Sequence, residues 1–353
     1  MRTRALSGLL ALCLLLSGCS SMMERSYEAV IAHEDKPVTA EDSSILRVEN
    51  YQELVSAVLY LISQRQEEGT IQLYDYADDV ESALTDACLE VATEDPLGAY
   101  AVDYIKHECT RVVSYYQATL SIHYRRTEEQ IRSIVNVTGS SAIRSELQEA
   151  LTSFSGEVVL RVAYFAEDEA SIAQLVRQAY YDTPVAALGM PTPGITLYPD
   201  HGSQRVVEIT LTYPEPADEL WRKSEQLAAQ AGTISGSLRG LDARAAVLRV
   251  ISELRSYAAY SPEGGNTAYA ALVDGSSDAE GLALAYALLC QQVGVTCEVV
   301  EGTYLGKSWF WNTVQVDSGE RLYLDAALGD GLLHTAEELT AAGYQWAGAA
   351  GSE

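Results

Sequence analysis

Residues 274–290 read DGSSDAEGLALAYALLC, a short polar loop followed by an apolar segment with helical spacing. Ser277 and Glu280 have the spacing of a capping box, which predicts that a helix begins at residues 278–280. The first turn of a helix presents free amides and the positive end of the helix dipole, an environment that lowers the pKa of a thiol. This helix start therefore suits a reactive cysteine, but the residue present is Ala279.

Two runs with strand-like composition follow the helix, SWFWNTVQV and, after the turn DSGE, RLYLDAAL. Side chains alternate along a strand, so Trp309 shares a face with Trp311, and Tyr323 shares a face with Asp325. A three-residue connection would place both pairs on the same side of the sheet, whereas a two-residue connection would place them on opposite sides. The sequence leaves both arrangements open.

Together these segments resemble the core of the bacterial transglutaminase-like domain, a papain-related α+β fold. Members of that family carry Cys-x-Gly at a helix start, His-Ala-Trp-Asn on one strand and Tyr-x-Asp on the next. The resemblance covers residues 268–330 and implies that this part of the chain has the family fold. The matching positions in this chain are Glu280, Gly281, Ala283, Trp311, Asn312, Tyr323 and Asp325.

The departures from the family pattern fall on its chemical groups. In the family's reaction a thiolate attacks a carboxamide or peptide carbonyl, an imidazole transfers the proton, and a carboxylate orients the imidazole. Ala279 stands at the cysteine position and Trp309 at the histidine position, so only Asp325 remains of the triad. Alanine has no lone pair, and an indole accepts no proton at neutral pH. The sequence therefore predicts an inactive domain with no intact catalytic triad.

The alternative is an active acyl-transfer or cysteine-peptidase-like enzyme with relocated catalytic groups. Its candidates are Ser276, Ser277 and Asp278, next to the alanine, and His334 further along the chain. A serine nucleophile would need a base in contact with it. Cys290 lies three turns into the apolar helix, where burial raises the pKa of a thiol and makes it inert.

An inactive domain would act by binding a peptide, a glycan or a protein at the cell surface. Trp309, Trp311, Tyr323 and Tyr304 are the candidate ligand-binding residues, because flat rings bury a large area at a small cost in conformational entropy. The competing interpretation is that Trp309 fills the vacated cleft and that Trp311 is a core residue. A third hypothesis makes the N-terminal domain the part that docks a surface partner.

The N-terminus reads MRTRALSGLLALCLLLSGCSS, with two arginines before an apolar run too short to span a bilayer permanently. We interpret residues 1–18 as a signal peptide. Its end resembles the bacterial lipobox, which implies that Cys19 carries a lipid and anchors an extracytoplasmic protein to the bacterial cell membrane. An ordinary export signal is the alternative. Residues 19–43 are acidic and without sustained period, which predicts a flexible tether.

The remaining length favours two domains, a duplicated α+β domain over 44–235 and a transglutaminase-like domain over 236–340, followed by a tail over 341–353. In the first domain ELVSAV and TIQLYDY have later counterparts in ELQEAL and EVVLRVAYF. The order helix, strand, helix, strand, strand occurs twice, which predicts two similar modules, although alternating elements can coincide by chance. The predicted fold class is α+β throughout.

Charge and composition restrict the partners. The formal net charge is -27, from 50 acidic and 23 basic residues, and such a field repels polyanions such as nucleic acid. We expect the membrane, through the lipid, and a cell-wall peptide, glycan or surface protein as partners. The histidines have no paired ligand spacing and there is no phosphate-binding glycine loop, so no metal and no cofactor are predicted. Cys290 and Cys297 form either a local disulfide or two buried free thiols.

Overall fold

The computed structural model describes residues 38–39, 45–76, 79–164, 168–238, 240–316, 319–328 and 330–347. The predicted signal peptide, Cys19 and most of the predicted tether lie outside the described residues. The chain divides into two compact units. One holds the described residues up to Cys88 together with His107–Ser121, and the other holds Leu89–Lys106 and the residues from Ile122 onward.

The first part of the chain builds a five-stranded sheet. Its elements are β1 (Val38–Thr39), β2 (Ile45–Val48), α1 (Tyr51–Ser63), β3 (Glu68–Tyr74), α2 (Val80–Thr93), α3 (Pro96–Ala101), β4 (Val102–Val112) and β5 (Tyr115–Tyr124). The strand order is β1-β2-β3-β5-β4, with β2 and β3 parallel and β5 antiparallel to β3. Val38 and Thr39, which fall within the predicted tether, pair with β2.

A four-stranded sheet follows. Its elements are α4 (Glu128–Arg132), β6 (Val135–Thr138), α5 (Gly139–Thr152), β7 (Glu157–Ala163), α6 (Glu169–Asp182), β8 (Thr192–Tyr198) and β9 (Gln204–Thr212). The order is β6-β7-β9-β8, again with one parallel pair, β6 and β7, next to an antiparallel strand, β9. Each sheet thus has a leading strand, β2 or β6, that the sequence pattern did not predict. Both are only four residues long, too short to establish a period of two.

The C-terminal part of the chain contains the predicted helix and strand pair. Its elements are α7 (Ala217–Ser235), α8 (Ala243–Tyr257), β10 (Ala259–Gly265), β11 (Ser276–Ser277), α9 (Ala279–Gln292), β12 (Cys297–Tyr304), β13 (Lys307–Val316), β14 (Glu320–Leu324), α10 (Ala336–Ala341) and β15 (Tyr344–Gln345). The antiparallel sheet has the order β14-β13-β12-β15. Residues 344–345, within the predicted tail, form β15 and pair with β12. A two-residue strand carries no local pattern that would predict it.

Helix α9 lies at the centre of the second unit, and its residues 281–290 are all buried. The Tyr286 hydroxyl donates to the Val247 carbonyl at 3.0 Å, and the Asn312 amide of β13 donates to the Ala283 carbonyl at 2.9 Å. The surrounding apolar core runs without interruption from the second sheet to β14. Ile234 and Leu238, on either side of the predicted boundary at 235/236, both belong to it.

The start of α9 differs from the predicted capping box. Asp278 is the N-cap, and its carboxylate accepts a hydrogen bond from the Gly281 amide at 3.0 Å. Ser277 instead lies on β11, paired in parallel with β10, where its hydroxyl donates to the Gly265 carbonyl at 2.6 Å. Pairing with β10 therefore removes Ser277 from the role that its spacing to Glu280 predicts.

The described cysteines Cys88, Cys109, Cys290 and Cys297 are free thiols. Cys290 and Cys297 are both buried and form no bridge. Burial, reinforced by the neighbouring thiol, raises the pKa of Cys297. Of the two arrangements that the sequence left open, the structure contains the buried thiol pair.

Replacing the buried Asn312 by aspartate tests how strongly α9 depends on β13. The substitution exchanges an amide donor for a carboxylate that faces the Ala283 carbonyl. An unpaired buried charge should lower the free energy of unfolding by about 3–5 kcal/mol at pH 7. Urea unfolding of the full chain measures this change. Asn136→Asp, on the exposed side of β6, is the control and should change it by no more than about 0.5 kcal/mol. Equal effects of the two substitutions would contradict the assigned contact.

Candidate functional site

The carboxylate of Asp325, directly after β14, accepts four hydrogen bonds, although only 4% of the residue is exposed. One oxygen accepts from the indole N–H of Trp309 at 2.8 Å and from the phenol of Tyr344 at 2.6 Å. The other accepts from the amides of Ala327 and Leu328 at 2.7 and 3.0 Å. A buried carboxylate is stable only when it is hydrogen-bonded in this way.

The donors to Asp325 keep their protons. Burial, together with the adjacent carboxylate, raises the pKa of Tyr344, so its phenol stays a donor. The indole of Trp309 is a donor only. Its ring lies 5.6 Å from that of Tyr260 and 6.0 Å from that of Tyr304, measured between centroids. The space beside the carboxylate is thus occupied by groups that cannot accept a proton.

The register of β13 and β14 explains how Trp309 reaches Asp325. Val316 pairs with Glu320 and Thr313 pairs with Tyr323, so three residues connect the two strands. Odd-numbered side chains of both strands therefore lie on one face of the sheet. Of the two arrangements considered from the sequence, the structure has the same-side one.

Ala279 begins α9 and only 6% of the residue is exposed. Two residues earlier, Ser277 pairs with Tyr260, whose ring contacts Trp309. Strand β10 therefore connects the helix start to the tryptophan. A methyl side chain in this covered position offers neither an attacking atom nor a reachable surface.

Glu280 does not cap helix α9. Its side chain instead links α9 to helix α6 of the second sheet region. Its carboxylate accepts from the Tyr181 hydroxyl of α6 at 2.9 Å and from the Asn266 amide at 3.2 Å. Burial raises the pKa of Glu280, while these two donors oppose the shift. Nearby, Arg177 of α6 forms a bidentate ion pair with Glu301 of β12 at 2.5–2.6 Å.

The structure does not assemble the relocated catalytic groups that the sequence offered. The Ser277 hydroxyl is fully buried and its proton is donated to Gly265. His334 does fold back to pair with Tyr323 through the backbone, but its ring lies 3.1 Å from Asp330. Cys290 is completely buried. Ser277 is thus hydrogen-bonded to Gly265 and His334 to Asp330, rather than to each other.

The four candidate aromatic residues separate by burial. Trp311 is completely buried, which removes it from direct contact with a ligand. Tyr323 is nearly buried, whereas Trp309 and Tyr304 are half-buried. Tyr344 and Trp346 complete the cluster, with ring centroids 5.2 and 5.5 Å from that of Trp311. Tyr344 and Trp346 lie outside any periodic run of the sequence, so the sequence pattern did not predict them. The only feature of the sequence that could have indicated them is the spacing of a tyrosine and a tryptophan two residues apart.

Within the described ranges, no group of three or more His, Cys, Asp or Glu side chains is placed to hold a metal ion. No helix in the same part of the chain is long and apolar enough to cross a membrane.

Glu280→Gln tests the effect of burying this carboxyl. A folded-state pKa above the unfolded one means that ionisation costs stability. This cost is absent below the unfolded pKa, grows as pH rises from the unfolded to the folded pKa, and is constant above the folded pKa. From pH 4 to pH 7 the stability of the variant should rise relative to wild type by about 1.4 kcal/mol per unit of pKa shift. Thermal and urea unfolding across this range measure the difference. Glu129→Gln, at an exposed site, should show no such trend. A difference for Glu280→Gln that is independent of pH would contradict the assignment.

Neither a protein-family model nor a curated protein matches the chain. Three solved structures are similar in fold to parts of it. A TGase has a TM-score of 0.26 and 12% identity over 59% of this chain and 60% of its own. A protein assigned as a cysteine protease from Cytophaga hutchinsonii has 0.25 and 13% over 40% of this chain and 65% of its own. A protein assigned as a protease from Parabacteroides distasonis has 0.24 and 9% over 74% of this chain and 40% of its own. The chain thus spans less than two thirds of each, and at these TM-scores we base no inference on the likeness.

Proposed function

We propose that this chain is an exported, lipid-anchored binding protein whose C-terminal region has a transglutaminase-like architecture without catalytic activity. The observation that carries the proposal is the hydrogen bond from the Trp309 indole to the buried Asp325 carboxylate. In the family pattern this carboxylate orients the imidazole that moves the proton. In this chain Trp309 stands at the position of that imidazole, and its indole donates a hydrogen bond but cannot take a proton.

The helix start supports the same conclusion. Ala279 has no nucleophilic atom and is nearly covered, and the adjacent Ser277 is fully buried. Losing one member of a nucleophile and base pair already removes most of the rate, on the order of a millionfold in a serine enzyme. The contacts of Trp309 with Tyr260 and Tyr304 favour its role as a plug of the former cleft over that of an open platform.

We also infer that the two N-terminal sheets arose by internal duplication. The inference is supported by the strand order that the two sheets share, which is β2-β3-β5-β4 in one and β6-β7-β9-β8 in the other. Helix α6 of the second sheet region holds the C-terminal region through Tyr181 and Arg177. This module therefore supports the C-terminal fold and helps to shape its surface.

Export and anchoring follow from the N-terminal sequence pattern. A lipid on Cys19 would keep the body of the protein outside the bacterial cell membrane, within reach of cell-wall peptides, glycans and surface proteins. The net charge of -27 favours neutral or cationic ligands there.

The absence of catalysis is tested with the full chain in assays of primary-amine incorporation and of peptide cleavage. We expect no rate above buffer for wild type and for Ser277→Ala. Turnover by wild type that survives in Ser277→Ala and is blocked by a thiol reagent would overturn the proposal, because it would locate a working cysteine.

A restoration experiment tests the positions assigned to the lost groups. In Ala279→Cys the introduced thiol should alkylate slowly, because burial raises its pKa. Adding Trp309→His should lower that pKa and speed alkylation near neutral pH, since an imidazole beside Asp325 stabilises a thiolate. Peptide mapping after iodoacetamide treatment, over a pH series, measures the rate at this site. Identical pH profiles of the single and double variants would contradict the assigned positions.

Lipid attachment is tested by comparing the two N-terminal cysteines. Cys19→Ala should abolish incorporation of labelled palmitate and release the protein from the membrane fraction. Cys13→Ala, within the apolar run of the signal, is the matched control and should leave both unchanged. Lipid labelling that persists in Cys19→Ala would show that the anchor lies elsewhere.

A further inference from the structure

We propose that the second compact unit binds a neutral saccharide in a cleft between helices α5 and α6 and strands β12, β13 and β14 of the C-terminal sheet. This assignment depends on the proposed binding function and adds a place and a ligand class to it. The cleft has a volume of ≈ 400 Å³. Small-molecule sites occupy about 300–1,000 Å³, so the space suits a short oligosaccharide.

An unpartnered hydroxyl belongs to this cleft. Thr313 lines it and only 5% of the residue is exposed, yet its Oγ1 has no hydrogen-bond partner among the described residues. The indole N–H of Trp311, two residues earlier on the same face, is also buried and without a partner in the described part of the chain. A buried polar group left unpaired costs about 1–3 kcal/mol. A ligand hydroxyl that reached Thr313 would offset this cost.

Aromatic rings stand beside Thr313. Tyr323 is its direct cross-strand partner and also lines the cleft. The ring of Trp346 lies 5.1 Å from that of Tyr323 and is half-buried, so part of it faces the cleft. A flat ring next to hydroxyl-bonding groups is the combination that recognises a sugar, whose ring has apolar C–H faces and polar edges.

The charged groups of the cleft largely neutralise one another. Arg144 makes a bidentate ion pair with Asp182 at 2.5 and 2.6 Å, and Glu301 is paired with Arg177. The remaining charges, on Arg321 and Glu298, are 3.7 Å apart and both side chains are more than half exposed. The cleft therefore offers many donors and acceptors but little net charge. This favours a neutral polyhydroxy ligand over an ion, and the overall charge of -27 further disfavours acidic polymers.

Isothermal titration calorimetry of the full chain tests the site with four probes: chitotriose and maltotriose as neutral sugars, trigalacturonate as an acidic sugar and trialanine as a peptide. We expect at least one neutral sugar to bind with 1:1 stoichiometry. Thr313→Val should weaken this binding about tenfold, the effect of one lost hydrogen bond of about 1.4 kcal/mol. The thermal unfolding midpoint should not fall, because valine keeps the shape and removes the unpartnered hydroxyl.

Two further variants keep the test specific. Trp346→Leu should also weaken binding, since it removes the flat ring. Thr303→Val, on β12 but outside the lining, is the matched control and should bind as wild type does. Failure of both neutral sugars to bind, preference for trigalacturonate or trialanine, or unchanged affinity in Thr313→Val would each overturn the saccharide site.

The amine-incorporation assay on the same preparation separates the saccharide site from the proposed function. If no sugar binds and no turnover is seen, only the saccharide site is rejected. If turnover is seen, the proposed function itself is rejected.

Discussion

A single buried carboxylate, that of Asp325, ties together segments of the C-terminal sheet that are distant in sequence. It takes hydrogen bonds from Trp309 on β13, from Tyr344 on β15 and from two amides of the loop after β14. Because an unsatisfied carboxylate cannot be buried, none of these donors can be lost without cost. An indole and an imidazole can each donate one N–H to such an oxygen. The indole of Trp309 therefore satisfies this oxygen as an imidazole N–H would, but it has no nitrogen that accepts a proton.

Helix α9 provides the second constraint, because nearly all of its surface is buried and its polar ends must find partners inside the protein. Asp278 satisfies the first turn, and Asn312 reaches across from β13 to the Ala283 carbonyl. Glu280 is held by Tyr181 of α6, so the helix start is fixed from the neighbouring sheet region as well. A helix start held this firmly has little freedom to rearrange around a reacting group.

The sequence predicted the parts of this structure that depend on local periodicity. Alternation along β13 and β14 correctly paired Trp309 with Trp311 and Tyr323 with Asp325, but only the three-residue connection decided that the two pairs share a face. The spacing of Ser277 and Glu280 fits a capping box, yet tertiary pairing of Ser277 with β10 moved the cap to Asp278. Tyr344 and Trp346 could not be predicted, because their place depends on one short strand paired over about forty residues of sequence with β12. Contacts of that range leave no local trace.

Trp309 and the cleft residue Thr313 lie on one face of the same strand. Trp309 and Thr313 are four residues apart on β13, about 13 Å at the rise of an extended strand. The distance is long enough that filling one position with an indole need not alter the other. Trp311 lies between them, fully buried, and separates the two environments with a rigid ring. A change at position 309 can thus leave the cleft around Thr313, which α6 and β12 help to line, unaltered.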